Sequence, residues 1–221
     1  MEQIEQTLLE MFNHLIVRHP QYSQAFYQII PEAQALREWQ SREFAAPSPH
    51  FIKQAAVIRN GLSDATWVES GTFLGETTQK LAQIGKMVHS VEPEPTIFAN
   101  VKEKFAAVKN VKLYNGLSEE VFPKLIPKLK GDVCFWLDGH YSAGITFKGP
   151  VDTPIVSELA CIAKNLKKLG RVVVMVDDVR CFNPALAEYA DYPPVDFLVD
   201  WARDNNLSWH IEHDIFIAKN H

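Results

Sequence analysis

The chain is expected to fold as a doubly wound α/β sheet of seven strands, five parallel and two in a C-terminal antiparallel hairpin, preceded by helices. Three observations predict this. After Gly61, short β-rich runs alternate with helical segments, the pattern of strand–crossover–strand units. Two of those runs, Val133-Cys-Phe-Trp-Leu-Asp and Arg171-Val-Val-Val-Met-Val-Asp, are almost wholly apolar, as central parallel strands covered on both faces must be. The last two runs are separated only by His213-Asp214, which is too short for a helical crossover and requires an antiparallel pair.

The elements follow in order. Residues 1–60 read as helical, with Ile4, Leu8, Leu9, Phe12, Leu15 and Ile16 recurring at helical spacing. Pro20, Pro31, Pro47 and Pro49 punctuate this region, and residues 41–50 read as a loop between helices. We expect this part to form a cap or lid, or a dimer interface in a homo-oligomer, and residues 61–221 to form the sheet domain. Strands are expected at Thr66-Trp-Val-Glu, Met87-Val-His-Ser-Val-Glu and Val111-Lys-Leu-Tyr, then in the two apolar runs. Residues 153–169 read as one helix, with Thr153 as N-cap, Pro154 in the first turn and Gly170 at its end. Its Ile155, Val156, Leu159, Ile162, Ala163 and Leu166 make one apolar face for the sheet. A last helix near residues 195–206 leads into Leu207-Ser-Trp-His-Ile-Glu and Ile215-Phe-Ile-Ala.

The net charge of -5 argues against sequence-independent nucleic-acid binding, which needs clustered positive charge. The Lys-rich stretches at 124–130 and 164–171 interleave with Leu and Ile and read as solvated helix faces. No apolar run approaches the ~20 residues of a membrane span, and Met1-Glu-Gln-Ile-Glu is acidic where a secretory signal is basic. Cys134, Cys161 and Cys181 lack metal-ligand spacing and read as reduced thiols, which points to the cytoplasm.

The first strand of the sheet ends in Glu69-Ser-Gly71-Thr72-Phe73-Leu74-Gly75 and then enters a helix. Glycines let the backbone approach a ligand, because no Cβ intervenes. The spacing is E-x-G-x-x-x-G, without the G-x-G-x-x-G of dinucleotide folds, which argues against a nicotinamide oxidoreductase. Glu69, two residues before Gly71, would repel a pyrophosphate and suits a cationic amino-acid ligand better. The second strand ends at Glu92, where a carboxylate in such folds accepts ribose hydroxyls. The third leads into Asn115-Gly116-Leu117-Ser118. Each feature has a plainer reading beside it. Gly71 and Gly75 could simply end a strand and start a helix, Glu92 could sit at the surface, Ser118 could cap a helix, and Phe73 could belong to the core.

These three strand ends, with the terminal hairpin, resemble the Rossmann-like class I methyltransferases that bind S-adenosylmethionine. The resemblance implies cofactor contacts at Glu69, Gly71, Thr72, Phe73, Gly75, Glu92, Gly116, Leu117 and Ser118.

The fourth strand ends in Leu137-Asp138-Gly-His140 and the fifth in Val176-Asp177-Asp178, at one edge of the sheet. Three converging carboxylates repel one another unless a cation compensates, and Mg²⁺ (or Mn²⁺) would do so. The plainer reading is that Asp177 or Asp178 caps the next element or pairs with Arg180. L-D-G-H with V-D-D resembles the macrocin-type, metal-dependent sugar O-methyltransferases, which implies Asp138, Asp177 and Asp178 as metal ligands. The expectation is therefore methyl transfer to the hydroxyl of a small acceptor such as a sugar, with His140 removing the acceptor proton and Asp138 beside it. A metal-independent methyltransferase on another acceptor, or a protein that binds the cofactor without turnover, are the alternatives.

Overall fold

A computed structural model describes residues 23–139 and 153–221, with side chains from residue 31 onward. The chain divides into two compact units, residues 1–51 and 52–221. In the first, helix α1 (Ser23–Ser41) is followed by a short loop. The Arg42 guanidinium donates to the carbonyls of Ala45, Ala46 and Pro47, and the Trp39 indole N–H to that of Ala45 at 2.9 Å. The loop is thus held by side chains where no ladder exists. Helix α2 (His50–Asn60) leads into the sheet, and all but its first two residues belong to the second unit.

Seven strands form one sheet in the order β3-β2-β1-β4-β5-β7-β6. They are β1 (Thr66–Ser70), β2 (Met87–Glu92), β3 (Val111–Asn115), β4 (Val133–Leu137), β5 (Val172–Val176), β6 (Ser208–Glu212) and β7 (Ile215–Lys219). The first five are mutually parallel, and β7 runs antiparallel to both β5 and β6. The expected architecture is therefore found. Every residue of β4 and β5 is buried, because helices cover both faces. Val68, Phe135, Val174 and Phe216 point into one core with Phe122, Leu159 and Ile162, while Trp67, Trp136, Met175 and Ile217 point into another with Ala56, Val57 and Leu81. Alternation along each strand thus supplies both layers. The hairpin turns on His213 and Asp214, both at positive φ (49° and 68°), as a two-residue primed turn demands.

The crossover helices are α3 (Glu76–Ile84), α4 (Pro95–Lys104), α5 (Ser118–Leu125), α6 (Ile155–Ala163) and α7 (Val195–Asp204). Helix α4 is capped as its sequence dictates, with Pro95 in the first turn and the Glu94 carboxylate accepting from the Ile97 N–H at 2.6 Å. Two helix expectations need correction. The 153–169 segment is a helix only to Ala163, followed by a separate 3₁₀ turn at Leu166–Lys168. Asn165 interrupts it by turning its side-chain amide back onto the Cys161 carbonyl at 2.9 Å. Thr153 lies outside the helix, whose N-cap is Pro154, and Val156 is half exposed rather than on the sheet face. Ser118 is the first residue of α5, and Leu117 occupies the cap position without a side-chain bond.

Candidate functional site

The loop after β1 lies against the end of β2. The Gly71 and Thr72 N–H groups both donate to the Val91 carbonyl, at 3.0 and 3.1 Å. Gly71 has φ +86°, and a Cβ there would lie 2.3 Å from the backbone oxygen of Asp138. The first glycine is thus required by contact between the ends of β1 and β4. Gly75 has φ +74° and opens α3; its missing Cβ would meet the Phe105 ring at 2.5 Å. Phe73 between them is also left-handed (φ +46°) and about half exposed, so it is no core residue.

Glu92 closes this turn. Its Oε2 accepts from the Phe73 N–H at 2.8 Å and its Oε1 from the Glu94 N–H at 2.9 Å. Each oxygen keeps a further acceptor lone pair. Burial raises the Glu92 carboxyl pKa, and those two N–H groups act against the rise. Gly116 adjoins it, its N–H donating to the Glu92 carbonyl at 3.2 Å. The Gly71–Gly75 turn, Glu92 and Gly116-Leu117-Ser118 therefore meet at three neighbouring strand ends, where open α/β sheets bind ligands.

Glu69 behaves differently from expectation. Its side chain is fully buried, with Oε2 accepting from Thr78 (2.5 Å) and Ser90 (2.6 Å), and Ser90 in turn bonded to Thr72 (2.6 Å). Burial pushes its pKa up to about 8, so at neutral pH it is mostly an uncharged acid that organises the turn from below. It offers no surface carboxylate for a cationic ligand.

The acidic edge is also rearranged. Lys53, from α2, places its ammonium 2.6 Å from Asp177 Oδ1, 2.5 Å from Asp178 Oδ1 and 3.8 Å from Asp214 Oδ2. Arg180 pairs with Asp178 and with Asp214. Asp178 itself is left-handed (φ +56°), its N–H bonded to Asp177 Oδ1 at 2.8 Å. Burial acts to lower the Lys53 pKa, but Asp177 and Asp178 raise it overall, so the ammonium stays charged. Asp177 is pushed up to about 7 by burial and by Asp138 and Asp178, against the pull of Lys53.

Uncompensated carboxylates at this edge would call for Mg²⁺. Here Lys53 already pairs with Asp177 and Asp178, and Arg180 with Asp178, so a metal would have to displace Lys53 from two of its three expected ligands. Asp138, Asp177 and Asp178 do not fit as a metal triad, and no metal-holding cluster occurs among the described residues. Arg180 pairs with Asp178, as the plainer sequence reading allowed. Asp138 stands between the two groups, its N–H donating to the Ser70 carbonyl at 3.1 Å. His140, the expected base, lies outside the described residues.

Three residues that the sequence reading missed line this edge: Lys53, Ser70 and Glu158. Glu158 had a legible signal, since it falls on the apolar face of α6 between Ile155 and Ile162 at helical spacing. Lys53 had a weaker one, as a lysine one turn before the buried Ala56 and Val57.

No protein-family model matches this sequence, and no curated protein matches it. Solved structures do share its fold. The N-methyltransferase NodS from Bradyrhizobium japonicum WM9 matches with a TM-score of 0.51 at 12% identity, over 76% of this chain and 92% of that chain. The 23S rRNA methyltransferase ErmE gives 0.49 at 13%, over 77% and 67%. Precorrin-6y C5,15-methyltransferase from Geobacter metallireducens GS-15 gives 0.47 at 10%, over 75% and 86%. The likeness is one of fold: this is the seven-stranded, Rossmann-like fold of S-adenosylmethionine-dependent methyltransferases. Among the described residues no helix is long and apolar enough to cross a membrane.

Proposed function

We propose that this chain is an S-adenosylmethionine-dependent methyltransferase acting on a hydroxyl of a small acceptor. The observation that carries the reading is the meeting of the Gly71–Gly75 turn, Glu92 and Gly116-Leu117-Ser118 at three adjacent strand ends. Glu92 would hold the ribose hydroxyls through its remaining lone pairs, with Phe73 and Leu117 beside the nucleoside and Gly71 and Thr72 beside the amino-acid end. The bound cofactor supplies a methyl group already activated on a sulfonium. What remains for the protein is to orient the acceptor, exclude water and receive its proton. Asp138 would serve the first task, since it directly follows β4 and its own backbone oxygen lies against Gly71. His140 is the sequence's nominee for the last. The metal is no part of this reading, because Lys53 occupies Asp177 and Asp178.

Calorimetry with S-adenosylhomocysteine tests the cofactor. Binding at micromolar affinity or tighter is expected, about 8 kcal/mol, and Glu92→Ala should weaken it by about 1.5–3 kcal/mol. Binding of NAD instead, or an unchanged affinity in the Glu92 variant, would sink the assignment. For the acceptor, label transferred from S-adenosylmethionine to a metabolite extract should appear on hydroxylated small molecules. Transfer should persist in excess chelator, and loss of transfer that Mg²⁺ restores would return the aspartates to metal binding.

A further inference from the structure

Glu158 and Ser70 carry an unexplained feature of this edge. Both side chains are buried, at 2% and 1% exposure, yet Glu158 Oε1 and Ser70 Oγ have no hydrogen-bond partner among the described residues. Unpaired buried polar atoms are rare and costly, and two in one place call for a missing partner. They face a common gap. A Cβ on Gly139 would lie 3.1 Å from Ser70 Oγ and 3.6 Å from Glu158 Oε1, so the glycine keeps the space beside both atoms open. A cavity of about 10 Å³ adjoins Glu158 and Gly139, lined also by Thr153, Asp177 and Tyr192. That is room for one water-sized group. It lies at the ends of β4 and β5, and Ser70, which is beside Gly139, ends β1 and directly precedes the Gly71 turn.

We propose that Glu158, with the Ser70 hydroxyl beside it, binds the reacting hydroxyl of the acceptor and receives its proton. The inference rests on the methyl-transfer reading and deepens it. The acceptor oxygen forms a bond to the methyl carbon. The methyl–sulfur bond breaks with its electron pair left on sulfur, and the O–H proton passes to Glu158 Oε1. The charged and titratable groups around Glu158 are Glu119 at the start of α5, Asp138 at the end of β4 and Asp177 at the end of β5. Burial first, then Glu119 and Asp138, push its carboxyl up to about 7, while the hydroxyls of Ser118 and Ser70 oppose the rise. A proton acceptor works best when it titrates near the working pH.

The test combines stability with turnover. Because Oε1 of the wild-type carboxyl has no partner among the described residues, Glu158→Gln should unfold at the same temperature as wild type or a higher one. A carboxyl with a purely structural role would give a lower one. Turnover, read as label passed from S-adenosylmethionine to hydroxylated compounds of a metabolite extract, should fall by roughly 10²–10⁴-fold. The acid limb of the pH–rate profile should vanish, while S-adenosylhomocysteine affinity stays within about twofold. If the wild-type protein does not bind S-adenosylhomocysteine, the methyl-transfer reading falls and takes this inference with it. If it binds, but Glu158→Gln turns over near the wild-type rate, Glu158 alone is excluded. Loss of turnover in His140→Gln only would then name His140 as the base.

Discussion

Glu69 is a strand-end acid that never reaches the surface, and its energetics follow from that burial. Its ordinary pKa of 4.5 rises to about 8 in the fold, so the folded protein prefers the protonated form. The stability it contributes is complete below about pH 4.5 and is lost as the pH climbs towards 8. Glu158 acts in the same direction, with its pKa at about 7. Thermal unfolding should therefore shift to lower temperature between pH 5 and 8. Glu69→Gln, which keeps an acceptor oxygen for Thr78 and Ser90, should flatten that slope; an unchanged slope would mean that Glu69 is ionised in the fold. Gly71 offers a second test at this scale. An alanine there meets the Asp138 backbone and a left-handed φ together, so Gly71→Ala should cost at least the 1–3 kcal/mol of such backbone strain, measured by denaturant unfolding. The sequence showed that glycines were needed in this turn. It could not show that one of them is needed for the approach of β4, because that neighbour lies 67 residues away in the register from Thr66 to Val133.

At the level of elements, the sequence was most informative where burial is continuous and least where a partner is remote. Strands β4 and β5 were legible because five consecutive apolar residues allow little else, and the hairpin because a two-residue gap forbids a crossover. Helix α6 was overextended, since Leu166 continued the apolar period while Asn165 had already turned back onto Cys161. The acidic edge was misread for a different reason. Its aspartates announced a need for positive charge, but Lys53 sits more than 120 positions earlier in the chain, beyond any local pattern. That lysine now carries a clear expectation. Lys53→Met leaves Asp177 and Asp178 buried without their ammonium, and breaking such a pair from one side costs about 3–5 kcal/mol. Denaturant unfolding should show that loss, and a change below about 1 kcal/mol would mean that Arg180 suffices.

Across the whole sheet, chain order and spatial order part at β1–β4 and again at the antiparallel end. Strand β7 is the last in sequence but lies between β5 and β6, pairing Val173 with Lys219 on one side and Ser208 with Lys219 on the other. Its Ile215, Phe216, Ile217 and Ala218 are fully buried and contribute to both cores. A chain stopped at Glu212 should therefore lose cooperative unfolding altogether, which circular dichroism during heating would reveal. The same wiring has a consequence on the ribosome. Until residue 219 has left the exit tunnel, β5 presents an open apolar edge and β6 has nothing to pair with. A nascent chain of this protein is thus obliged to wait for β7 before the sheet can close, however quickly the first five strands find one another.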